Sequence, residues 1–72
     1  MSGSNLWEVH LYAPAETRPA STETFGGFAP ALAYALTLKR DRSNGWHVHV
    51  QPPPYAAAAE IEKLRENALY PG

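Results

Sequence analysis

His47, Val48 and His49 place two imidazoles two residues apart. On a strand, residues i and i+2 point to the same side, so both rings face one surface. His10 lies in another alternating segment, with Glu8 two positions before it. If the two segments pair, three imidazoles and a carboxylate gather on one side, a donor set sufficient for a zinc-like site. His10, His47 and His49 are therefore the candidate metal ligands. Alternation alone also puts polar residues on the wet face of a sheet, so a plain solvated surface is the competing reading. A milder role is a pH-sensitive interface, since histidine changes charge near pH ~6.5.

Four other short patterns have a chemical reading and a plain one. Pro52-Pro53-Pro54-Tyr55 matches a Pro-Pro-x-Tyr ligand for aromatic-grooved domains. It reads equally as a strand exit followed by a helix with proline at its first position. Phe25-Gly26-Gly27-Phe28 could open an anion-binding helix start, but it lacks the lysine and hydroxyl of a phosphate loop. Lys39-Arg40-Asp41-Arg42 could touch a phosphate or an acidic partner; cations also suit the end of a helix. Trp7 and Trp46 could stack bases, yet their phase with the valines assigns them to the core. No nucleophile motif surrounds any serine, and no cysteine is present, so no enzymatic activity is expected.

The elements that must position these residues follow from periodicity. Leu6 to Ala13 alternates, with Trp7, Val9 and Leu11 on one face and Glu8, His10 and Tyr12 on the other. This reads as a half-buried strand that Pro14 ends. Residues 14–24 form a polar loop. Phe25 to Arg42 carries a first helix, starting close to Pro30 or capped earlier by Thr24, with Phe28, Leu32, Ala35 and Leu36 as its stripe. Ser43-Asn44-Gly45 is a stop signal. Gly45 to Gln51 alternates again: Trp46, Val48 and Val50 against His47, His49 and Gln51. Tyr55 to Leu69 is a second helix, with Ala57, Ile61, Leu64 and Ala68 apolar and Glu60–Lys63 and Glu62–Arg65 as side-chain pairs. Met1 to Asn5 is a flexible polar start without a basic signal region.

The expected architecture is one α/β domain of order β-α-β-α spanning residues 1–72. Strands joined through a helix are most simply parallel, and both helices would cover the single apolar face. The opposite face would carry Glu8, His10, Tyr12, His47, His49 and Gln51, the candidate interaction surface. A two-stranded sheet is marginal and leaves open edges, and a chain of 72 residues buries only a thin core. A homodimer is the economical completion.

Composition sets the outer bounds. The chain is 44% hydrophobic and 18% charged, which is globular. Its net charge of −1 argues against a nucleic-acid partner. No apolar run reaches the roughly 20 residues of a membrane span, so a cytoplasmic protein without a cofactor is expected.

The segments LWEVHLYAP, GFAPALAYALTL and GWHVHV resemble, in size, composition and element order, the small accessory proteins of actinobacterial phages. That resemblance implies an intracellular protein that binds a host or phage partner. It implies no residue-level role. The expected function is a non-enzymatic protein-interaction module, with a histidine-based metal or small-ligand site as the alternative and nucleic-acid binding as the weakest.

Overall fold

The computed structural model describes residues 6–41 and 45–70. The elements are β1 (Trp7–Tyr12), β2 (Ser21–Phe25), α1 (Phe28–Asp41), β3 (His47–Gln51) and α2 (Ala58–Glu66). The sheet has three strands in the order β2-β1-β3, and both pairings are antiparallel. The expectation of a two-stranded parallel sheet is thereby corrected. Ser21–Phe25 is a strand, where Ser21–Thr24 were expected in the 14–24 loop and Phe25 in the segment carrying the first helix. Its side chains up to Thr24 are exposed and only Phe25 is half-buried, so no apolar alternation marks it.

The strand directions have a simple cause. β2 and β3 each run against β1, so they run with one another, and α1 connects them across it. The crossover rule for parallel strands therefore applies to β2-α1-β3, with β1 lying between. Val9 pairs with Glu23 on one side and Val50 on the other.

One face of this sheet makes the core. Trp7, Val9 and Leu11 from β1 and Val50 from β3 are buried with Ala31, Ala35 and Leu38 of α1 and with Leu64 and Leu69. Ala31 and Ala35 lie one turn apart and are fully buried, so α1 rests on the sheet through its smallest side chains. Leu32 and Leu36, assigned to the stripe centre, are only half-buried at its flanks. Phe28 tilts against Trp7 with ring centres 5.2 Å apart. Trp46 departs from its expected core place. It precedes the first ladder residue of β3 and is 36% exposed. Beside it, Gly45 has φ +98°, a conformation that favours glycine, and a Cβ there would press on Pro14 at 3.2 Å.

The second helix is shorter than its periodicity suggests. Ala56 N–H donates to Pro53 C=O (3.1 Å), so Pro54 and Tyr55 form a turn and the helix begins at Ala58. Glu60 Oε1 accepts the Ala57 N–H at 3.0 Å, satisfying an amide at the helix start. It ends in a Schellman motif. Ala68 takes a left-handed φ of 57°, Leu69 N–H donates to Leu64 C=O (2.8 Å) and Ala68 N–H to Arg65 C=O (3.0 Å). The turn sends Leu69 back to the sheet, where its carbonyl accepts the Val50 N–H at 2.8 Å. The outer edge of β3 is thus partly covered by the chain that follows α2. No helix among the described residues is long and apolar enough to cross a membrane. The expected stop at Ser43-Asn44, the helix end at Arg42 and the flexible residues 1–5 lie outside the described residues.

Candidate functional site

The helix-free face of the sheet is where the chemistry collects. Pleating gives it Glu8, His10 and Tyr12 from β1, and register brings Thr24, Thr22, Gln51, His49 and His47 beside them. Reversal of strand direction leaves the phase of the pleat untouched. All six residues named from sequence (Glu8, His10, Tyr12, His47, His49 and Gln51) therefore share this face.

His10 is its centre. It pairs across the ladder with Thr22 and His49. Its Nε2 lies 3.2 Å from Glu8 Oε1, and its Nδ1 lies 3.2 Å from Thr22 Oγ1. One neutral tautomer satisfies both contacts: Nε2–H donates to the carboxylate, and the threonine hydroxyl donates to Nδ1. The His49 ring lies 6.2 Å from the His10 ring, tilted by 31°. On its other side Tyr70 stacks on His49 at 6.0 Å and 12°, and the Arg65 guanidinium lies 5.8 Å from the centre of the Tyr70 ring. Burial pushes the His49 pKa down, and the neighbouring His10 pushes it further the same way.

His47 stands one pair further along, opposite Tyr12, and is exposed. Gln51 stands opposite Glu8 at the other end. Among the described residues, no group of three or more His, Cys, Asp or Glu side chains is close enough to hold a metal. Sequence reasoning missed Thr22, Arg65 and Tyr70. The alternation of Thr22 and Thr24 around Glu23 was the available signal for the first. For Tyr70 there was none, because its place depends on the left-handed turn at Ala68.

The other motifs are absorbed by the fold. Pro53 is buried and closes the Ala56 turn, which breaks the extended shape a polyproline groove needs. Gly26 and Gly27 form a bend, and Gly27 C=O accepts the Ala31 N–H at 3.4 Å. Lys39 Nζ donates to Asn67 C=O at 2.5 Å, joining α1 to the carbonyl end of α2. An open cleft of about 400 Å³ lies there between Leu36, Lys39, Arg40, Glu66, Asn67 and Ala68. Arg65 pairs with Glu62 at 3.4 Å.

Comparison with known protein families, curated proteins and solved structures returned no match.

Proposed function

We propose that this protein is a small non-enzymatic interaction module that binds a protein partner through the helix-free face of its sheet. One observation carries the reading: a layer of partly exposed rings and polar groups (His10, Tyr12, His49 and Tyr70) covers that face, held in place by neighbouring hydrogen bonds and ring contacts. Aromatic residues are enriched in binding patches because they give contact area at low entropic cost. A standard interface takes about 800 Å² from each partner, roughly a sixth of this chain's 4626 Å². The partner we propose is a host or phage protein, a choice supported only by the sequence's resemblance to phage accessory proteins.

The same face continues into the edge of β2. Leu11 C=O accepts the Ala20 N–H, so the odd residues of β1 bond towards β2. Alternation then turns the backbone of Thr22 and Thr24 outward. A second copy adding there would extend the sheet across a two-fold axis. The third strand removes the stability argument for a dimer that a two-stranded sheet would carry, leaving this edge as its geometric basis.

The test is affinity capture from the cell of origin with the wild-type chain and a Tyr12→Ala/Gln51→Ala variant. A partner recovered by the first and lost by the second supports the proposal. Equal recovery by both, or no specific partner, rejects it. Sedimentation as a strict monomer at tens of micromolar would remove the dimer alone.

A further inference from the structure

We propose that His10 and His49 form a two-histidine chelate for one divalent late first-row transition ion (Cu²⁺, Ni²⁺ or Zn²⁺), with Glu8 as the adjacent counter-charge. The inference is independent of the protein-binding reading.

Register supplies the first argument. His10 and His49 are direct cross-strand partners on the same face. Val50 gives its N–H to Leu69 C=O, away from β1, so His49 turns its own backbone towards His10. Such a bonded pair has Cα atoms about 5.5 Å apart, closer than the roughly 6.8 Å between residues two apart on one strand. This separates His10–His49 from the His47-x-His49 pair visible in the sequence. The rings, with centres 6.2 Å apart, stand on neighbouring strands of one ladder, and binding one ion between them requires His10 Nε2 to swing from Glu8 towards His49. The metal would keep water or a partner's groups in its remaining positions, because only two imidazoles meet here.

The surroundings of His10 supply the second. A ligating histidine usually gives its other ring N–H to an oxygen acceptor, which orients the ring. Thr22 Oγ1 stands 3.2 Å from Nδ1. When the ion takes Nε2, the single ring proton shifts by exchange with solvent from Nε2 to Nδ1, and the threonine hydroxyl changes from donor to acceptor. Glu8, now 3.2 Å from Nε2, is left beside a dication instead of an N–H. Its negative charge favours that state. Imidazole suits copper, nickel and zinc, with copper bound most tightly at equal geometry.

The experiment uses the untagged full chain, stripped with a chelator and titrated calorimetrically with NiCl₂ and ZnCl₂. The expected result is one ion per chain. Even outer-shell partners are worth about 10–100-fold in metal affinity, so His10→Asn and His49→Asn should each weaken binding by at least about tenfold. His47→Asn should stay within about twofold by the same scale. Equal binding by wild type and the His10 and His49 variants overturns the proposal, as does a loss in His47→Asn equal to theirs. Should a variant fail to fold, the wild type decides by NMR. Traces of Cu²⁺ must broaden the imidazole signals of His10 and His49 before that of His47; the reverse order refutes the site.

Discussion

Leu69→Ala tests how the fold is closed. Leu69 is 1% exposed and lies in the cluster with Trp7, Val9, Val50 and Leu64. Its backbone carbonyl holds the Val50 N–H at 2.8 Å, and that bond needs no side chain. The substitution therefore removes packing and leaves the hydrogen bond in place. Truncating a buried leucine costs about 2–5 kcal/mol, counting lost transfer energy and the cavity left behind. A chain of this length is stable by about 4–10 kcal/mol, so the loss takes a large fraction of the total. With a urea slope of about 1 kcal/mol/M, the midpoint should fall by roughly 2–5 M with the slope unchanged. Trp7, buried beside Phe28, makes tryptophan fluorescence a suitable probe. A loss below about 0.5 kcal/mol, the size of an ordinary surface substitution, would refute the argument that the segment after α2 is part of the core.

Three further outcomes follow from the geometry. Ala68→Gly should raise stability by about 0.5–1 kcal/mol, because Ala68 holds φ 57° at the helix end where glycine carries no Cβ strain; an unchanged or lower melting temperature contradicts this. Lys39→Met should cost about 0.5–1 kcal/mol by freeing Asn67 C=O at the end of α2, and chemical denaturation of the two proteins measures it. His49 has a folded pKa below its ordinary 6.5 through burial and then through His10, so the unfolded chain takes up that proton more readily. Its contribution is intact above pH 6.5 and is lost as pH falls below that value. The charges facing it are His10, with Glu8 beyond, His47 on its own strand, and Arg65 over Tyr70. In metal-free buffer, wild type should lose more stability than His49→Gln between about pH 7.5 and 5; equal losses would show that the imidazole is not held neutral.

Much of this was legible in the residues themselves. Trp7, Val9 and Leu11 against Glu8, His10 and Tyr12 announces a strand and both of its faces. Lys39 and Arg40 mark the end of α1, and the alanine-rich run marks the start of α2. The candidate face survived the change from parallel to antiparallel because side-chain phase belongs to each strand alone. Direction and strand number were not legible, since they depend on β2, which buries almost nothing. Trp46 shares the phase of Val48, but phase cannot tell whether a residue lies inside the ladder or just before it. The stack of Tyr70 on His49 arises from a backbone turn at an alanine, a residue that gives no local warning of left-handed geometry.

The central place of β1 has a consequence in time. The first strand among the described residues is the one that both others need. Its pairing with β2 spans a short loop and can form early. Its opposite edge must wait for Val50, with α1 still to be laid across the sheet between. Until then a two-stranded hairpin stands with both flanks unpaired and Trp7, Val9 and Leu11 uncovered. Such a species is open to association with other chains. Closure of the distant β1–β3 pair is thus the expected slow step of folding.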